Sequence, residues 1–332
     1  MRNWDAVNLL LQLAFGMWIL GPPAAANETY TVFDPQGSTA TYATAINNDG
    51  AAVGYCDCGG LNGFLRGADG TITIFAVPNS QETFALAIND GGTAVGYYED
   101  FSNNIAGFLR TADGNISIFS VPKSTRTIPL SINSKGAVAG WYYDSKFESH
   151  GFVREASGKF VKFDPSGSIL TQATGINGSK IVTGWYQPSI GPIHGFMRTS
   201  DGSITSFDPT GSANTYAWGI NHDGAVVGYF YDDLNIRHGF VRASDDSIVE
   251  FDPKDATDTA PYALNREGAI TGAYVDKQAV RHGFVRKPDG TIKKLDPPNS
   301  ISTVSSGIND RSVVTGFFSD SLEILHGFIG SP

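Results

Sequence analysis

Short runs of alternating apolar and polar residues, four to seven long, recur along most of the chain. Each is bounded by Gly, Asp, Asn or Pro. No segment beyond residue 26 sustains the 3.6-residue apolar period of an amphipathic helix, so the pattern predicts strands and no helices. The stretch from Thr215 shows the unit clearly. It predicts strands over Thr215–Asn221, Ala225–Phe230, His238–Arg242 and Ser247–Asp252, joined by His222-Asp223-Gly224, a longer loop and a polar turn. In the first strand, bulky Tyr216, Trp218 and Ile220 alternate with small Ala217 and Gly219, which predicts one large face and one small face.

That unit occurs seven times. An Ile-Asn or Leu-Asn pair marks it at Asn47, Asn89, Asn133, Asn177, Asn221, Asn265 and Asn309. A glycine follows each asparagine, from Gly54 to Gly316, and then a Gly-Phe pair, from Gly63 to Gly327. A threonine precedes each asparagine, from Thr41 to Thr303. Four-stranded units of about 40 to 45 residues are the signature of propeller blades. The predicted fold is therefore all-β, a seven-bladed β-propeller of four-stranded antiparallel blades forming one domain over residues 27–332.

Two repeat positions vary together. His150, His194, His238 and His282 are each followed fourteen residues later by Asp164, Asp208, Asp252 and Asp296. The first two units have Asn62 and Ala106 in place of the histidine, and Ala76 and Ser120 in place of the aspartate. Joint gain and loss predicts a His–Asp hydrogen bond across the hairpin between the third and fourth strands. His326 has no aspartate after it, but Tyr30-Thr31-Val32-Phe33-Asp34-Pro35 matches the fourth-strand pattern of Ile204–Pro209. The N-terminal strand is thus expected to complete the last blade, supply Asp34 to His326 and close the ring. Five copies of a pair that otherwise suggests catalysis are read as scaffold.

Composition places this fold outside the cytoplasm. Arg2, an apolar run from Ala6 to Leu20 and the small residues Ala24-Ala25-Ala26 read as a signal peptide, residues 1–26, with cleavage expected before Asn27. The run is short for a membrane span, which disfavours an uncleaved anchor. The formal net charge of −10, without a basic run, excludes nucleic acid and anionic membrane as natural partners. Only Cys56 and Cys58 are present, so a disulfide framework is excluded, and a local bridge or two small loop side chains remain. A secreted or periplasmic monomer is expected.

Within each unit the first-to-second and third-to-fourth connections are short, whereas the others are longer and more variable. The long connections must share one face, which is where a binding site and the widest opening are expected. Aspartates at 100, 144, 232, 276 and 320 on these loops have the chemistry to hold Ca²⁺, but Asp also starts turns, and the turn role is preferred. No cofactor is otherwise implied. The aromatic series Tyr55, Tyr97, Trp141, Trp185, Tyr229 and Phe317 suits packing between blades better than sugar stacking. The residues that break the repeat on this face are Arg126, Trp218, Tyr262, Asp233, Arg237 and Arg281. Aromatics mixed with arginines and a carboxylate suit a polar ligand such as an oligosaccharide or an acidic group.

With its Ile-Asn, Val-Gly-Tyr and His-Gly-Phe landmarks, as at His194-Gly195-Phe196, the chain resembles the bacterial HAF family of extracellular repeats over Tyr30 to Phe328. That family carries His-Ala-Phe, so the match is to a variant form. The resemblance implies an exported bacterial propeller-like protein and no activity. A non-catalytic scaffold for glycan, peptide or partner protein is the expected function. The alternative is a polysaccharide lyase or glycoside hydrolase acting at the mouth of the propeller, although the sequence has no G-x-S-x-G, H-E-x-x-H or phosphate-binding glycine loop.

Overall fold

The computed structural model describes residues 29–332, so the predicted signal segment 1–26 lies outside the described residues. Among the described residues no helix is long and apolar enough to cross a membrane. The architecture is all-β and multi-sheet. Each unit contributes antiparallel strands in sequence order; the fifth, for example, has Asn214–Ile220, Val226–Tyr231, Arg237–Arg242 and Ile248–Phe251. These bounds fall within a residue or so of those expected from turn residues and alternation.

Two repeated glycines explain how the strands come so close together. A Cβ on Gly228 would lie 2.1 Å from the Tyr216 carbonyl oxygen, and one on Gly54 would lie 2.0 Å from that of Tyr42. The second strand therefore passes where only glycine fits. In six of the seven Gly-Phe pairs the glycine is covered instead by a fourth-strand phenylalanine, with Phe207 2.8 Å from a Cβ placed on Gly195; Gly283 faces Leu295. The adjacent phenylalanines, Phe64, Phe108, Phe152, Phe196, Phe240, Phe284 and Phe328, are fully buried and anchor the core of each unit.

The first strands depart from the simple alternation expected of them. Every one carries a register shift in its middle: between Ala43 and Ala45, Ala217 and Gly219, Pro261 and Ala263, and at the matching place in the other four. The residue skipped in each case is Thr44, Leu86, Leu130, Thr174, Trp218, Tyr262 or Ser306. A β-bulge of this kind re-aims the side chain it carries. Trp218 therefore does not simply share a face with Tyr216. Where the bulged residue is small, its hydroxyl bridges to the next unit: Thr44 donates to the Ala85 carbonyl at 3.0 Å, Thr174 to Ala217 at 2.9 Å and Ser306 to Ala43 at 2.6 Å.

Units are joined in two further ways. The Arg66, Arg110, Arg154, Arg198, Arg242 and Arg286 guanidiniums each lie over a fourth-strand phenylalanine of the preceding unit, about 5 Å from the ring centre. Each landmark asparagine donates its side-chain amide to the backbone carbonyl of the next landmark asparagine, from Asn47 to Asn89 and onward. The seventh, Asn309, donates to the Asn47 carbonyl at 3.0 Å. The same side chains accept from their own turns, as Asn47 Oδ1 does from the Ala51 amide.

The strand Thr29–Phe33 pairs antiparallel with Leu325–Ser331, with Phe33 opposite Gly327, as its sequence pattern suggested. The strands are not divided into seven separate sheets, however. They form sheets of eight, twelve, four and four strands, because single parallel bridges, Arg126 to Ile105, Ser149 to Leu170 and Ala40 to Leu325, continue the ladder across three of the junctions. None of these sheets closes on itself.

Candidate functional site

The histidines occupy a fixed structural setting. Nδ1 of His150, His194, His238, His282 and His326 lies 2.6 to 2.8 Å from Asp164, Asp208, Asp252, Asp296 and Asp34 respectively. Asp34 also accepts the Thr41 hydroxyl at 2.6 Å, so one carboxylate ties the first and last units. Four of the loop aspartates, Asp144, Asp232, Asp276 and Asp320, stand at the other ring nitrogen, 3.1 to 3.8 Å away. Asp276 Oδ2 is 3.1 Å from His282 Nε2, while its Oδ1 accepts the amides of Gln278 and Val280. Asp100, Asp144, Asp232 and Asp320 cap their turns in the same way. Their turn role accounts for their recurrence. Asp144, Glu148 and His150 bring three potential ligand atoms within 4.8 Å of one another, the one such grouping among the described residues. Cys56 and Cys58 form a local disulfide. The aromatic series is buried between units, with Tyr42 and Tyr55 stacked at 4.8 Å and Tyr55 edge-on to Phe84 at 5.1 Å.

Four of the six pattern-breaking residues converge at the long-loop end of the fifth and sixth units. Arg237, at the start of a third strand, is buried and grips Asp258 through Nε and Nη2. Its guanidinium also lies 4.9 Å from the centre of the Tyr229 ring. Trp218 and Tyr262, the bulged residues of adjacent first strands, meet edge to face at 6.4 Å. Trp218 stacks on Tyr229 at 6.4 Å, and Tyr229 and Tyr231 meet edge-on at 6.0 Å. The Trp218 indole N–H makes no hydrogen bond of normal geometry, and burial pushes the neighbouring Tyr229 phenol well above its usual range, an effect that Arg237 and the nearby Trp218 indole only partly offset. Arg281 occupies in the sixth unit the position of Arg237 in the fifth, and is half-buried.

The charges here are coupled. Burial raises the Tyr262 phenol above its usual range, against the pull of Arg237 and Arg281. Burial lowers Arg281, whereas Tyr262 and Asp258 support its charge and Arg237 opposes it. Burial also opposes the charge of Arg237, but Tyr262 and Asp258 outweigh it and raise the group. Chemically, the arrangement offers an aromatic surface beside two guanidiniums, one of which, Arg237, is ion-paired with Asp258.

Arg126 and Asp233 do not join this cluster. Arg126 heads a first strand in the third unit, bridged to Ile105, and Asp233 is exposed on a loop tip. Asp258 escaped the sequence reading. It stands immediately before Thr259, at the same repeat position as Arg126, where other units have Ala40, Glu82, Leu170, Asn214 and Ser302. Its signal is the arginine it serves, since the bridges at Arg126–Ile105 and Ala40–Leu325 show that these two repeat positions meet across a junction.

A cavity of about 470 Å³ opens at the opposite, tight-turn end. It is lined by the seven Ile/Leu-Asn pairs and the residue after each, including Asn48, Asp90, His222, Arg266 and Asp310. The cavity's amides are already engaged in the asparagine bonds, and Asn48 is held between Asp90 at 3.0 Å and Asp310 at 2.9 Å. Its polar wall is thus largely satisfied by the protein itself.

No protein-family model and no characterised protein sequence matches the chain, so the resemblance to HAF repeats gains no support there. Solved structures do match. A streptogramin B lyase structure aligns with a TM-score of 0.59 at 14% identity, over 91% of this chain and 97% of that one. The β-propeller domain of the Trilobed protease from Pyrococcus furiosus, described as having an open velcro topology, aligns with a TM-score of 0.59 at 11% identity, over 87% and 95%. A chain from a study of two prolyl endopeptidases aligns with a TM-score of 0.61 at 12% identity, over 85% of this chain and 47% of that one. At such identities the likeness is one of fold: the chain is all-β and resembles β-propellers.

Proposed function

We propose that the chain is an exported bacterial binding protein, secreted or periplasmic, in which seven four-stranded blades form a propeller closed by the N-terminal strand. In this reading it acts without catalysis and takes a ring-containing polar ligand, such as an oligosaccharide, at the junction of the fifth and sixth blades. The asparagine bonds that return from Asn309 to Asn47, and the pairing of Thr29–Phe33 with the last strand, support closure. The observation that carries the functional reading is convergence. Arginine precedes the His/Gly-Phe landmark only in two adjacent units, and an aromatic occupies the bulge only in the same two. Packing alone does not require exceptions at separate repeat positions to meet at one place.

Arg237 is a positioning residue in this scheme: buried, and holding Asp258 and Tyr229 in place. Trp218, Tyr262 and Arg281 form the contacting surface. Screening the exported protein against oligosaccharides and peptides tests the reading, followed by calorimetry on Trp218→Ala. Loss of one stacking platform is expected to weaken binding about tenfold. Unchanged affinity in a folded variant places the site elsewhere.

A lyase reading has one favourable observation, a tyrosine between two arginines. Against it, burial holds the Tyr262 proton more tightly, which makes a tyrosinate base scarce at neutral pH. Release of unsaturated product from an acidic polysaccharide, abolished in Tyr262→Phe, is the outcome that would favour it.

A further inference from the structure

We propose that the long-loop end of the third unit carries a zinc site, built from Asp144, Glu148 and His150 and completed by water. The site is independent of the binding reading above.

His150 is already oriented as a metal ligand. Its Nδ1 is 2.8 Å from Asp164 Oδ2, and its ring lies against Tyr142 at 5.1 Å between centres. A carboxylate at one ring nitrogen fixes the tautomer and leaves the lone pair of the other nitrogen free to bind a metal. That other nitrogen, Nε2, faces Asp144 Oδ2 at 3.8 Å, beyond hydrogen-bond range and the widest gap among the four pairs of this kind. Asp144 Oδ1 is occupied by the amides of Lys146 and Glu148, so Oδ2 is the oxygen left for a ligand. The same turn holds Glu148 alongside, because the Asp144 amide donates to the Glu148 carbonyl at 3.0 Å. One ligand atom from each of the three residues lies within 4.8 Å of the other two.

The repeat supplies the comparison. Asp232 with His238, Asp276 with His282 and Asp320 with His326 share the first two groups, but Ile236, Val280 and Ile324 stand where the third unit has Glu148. The turn does not need the acid, since the amides of those apolar residues donate to their own aspartates just as that of Glu148 does. Among the described residues the Glu148 carboxylate has no hydrogen bond or ion pair, and Lys146 supports the charge of Asp144 without an ion pair. Two carboxylates therefore converge on an imidazole with no cation between them, which a divalent ion resolves. One nitrogen and two carboxylates suit zinc, whereas Ca²⁺ and Mg²⁺ take oxygen ligands. Zinc ligands at about 2.0–2.2 Å stand about 3.4 Å apart in a tetrahedron, and Glu148, exposed at the end of the loop, can close the remaining distance. Three protein ligands leave the fourth position to water.

The test titrates zinc chloride by calorimetry into the full exported protein, made without a polyhistidine tag and stripped with chelator. One zinc per chain is expected to bind at neutral pH with micromolar affinity, and millimolar calcium or magnesium should not compete. Asp164→Asn, which removes the carboxylate behind His150, should weaken zinc about 10- to 100-fold. Glu148→Ile, which gives this unit the residue of the fifth and seventh, should weaken it by at least as much, and His150→Gln should abolish binding. Cobalt(II) in place of zinc should show the intense visible absorption of a four-coordinate site, lost in Glu148→Ile while the melting temperature without metal is unchanged. His238→Gln, at the same position in the fifth unit, should leave zinc affinity as it was. Absence of binding at submillimolar zinc overturns the proposal. So does undiminished affinity in Glu148→Ile, or the uptake of several ions that are lost one at a time as the other His–Asp pairs are removed. Competition by calcium would assign the loop to an oxygen-binding cation and overturn it equally. Should His150→Gln fail to fold, Glu148→Ile, at an exposed position, decides the matter.

Discussion

At the scale of single residues, the His–Asp pairs couple stability to pH. His238, His282 and His326 are raised above their usual range: burial opposes their charge, but hydrogen bonds and charges from the aspartates on each side outweigh it. A raised histidine contributes stability that is fully present below the unfolded value of about 6.5 and is lost as pH rises through the folded value. Asp276, Asp296 and Asp320 are depressed; burial works against this, and turn amides or histidines prevail. Their contribution is present above about 3.9 and lost as pH falls through the folded values. Thermal stability is therefore expected to peak in mildly acid solution, between about pH 4 and 6.5, and to decline above it. His282→Gln, at the most enclosed of the five pairs, should cost about 1–3 kcal/mol below pH 6 and flatten that decline. A melting temperature indifferent to pH from about 6 to 9 would contradict the coupling. These pairs were legible because both partners lie inside the repeat and vary together. Asp258 was not, because its partner Arg237 lies in the neighbouring unit, and repeat-by-repeat comparison sees only one unit at a time.

At the scale of strands, turn residues and alternation placed the ends of most elements, since glycine, proline and aspartate constrain the backbone locally. The central bulge in every first strand was invisible for the converse reason. It adds one residue without a characteristic composition, and Thr44, Leu86 and Trp218 have little in common as sequence signals. The arginine–phenylalanine contacts did leave a trace, as unit seven has Gly330 where the others have arginine, and the unit before it has Leu295 where the others have phenylalanine. The close strand passage makes a sharp prediction. Gly228→Ala forces a Cβ into the Tyr216 carbonyl and should cost about 3 kcal/mol or more by chemical denaturation. Gly268→Ala, at a φ of +84° with nothing within 4 Å, should cost only about 1–2 kcal/mol, the strain of a left-handed backbone. Equal losses would mean that steric closeness is not what keeps glycine in the second strands.

At the scale of the whole molecule, the pairing of the N-terminal strand was legible because Tyr30–Pro35 repeats the fourth-strand motif. The merging of units into larger sheets was hidden, because a single backbone bridge leaves no mark on composition. Seven amides that all donate in one rotational sense, the last of them to the first, make a homodromic circuit, and such a circuit has no privileged starting point. Removing any one amide, in a scan of Asn47→Ala through Asn309→Ala, breaks the same bond and frees the same turn. Denaturation should therefore return nearly uniform losses, each of about 1–3 kcal/mol. The positions where polypeptide continuity is interrupted, Asn47 and Asn309, should be as costly as Asn133 or Asn177. A graded profile, cheap at those two and expensive in the middle, would describe a linear array whose ends merely touch.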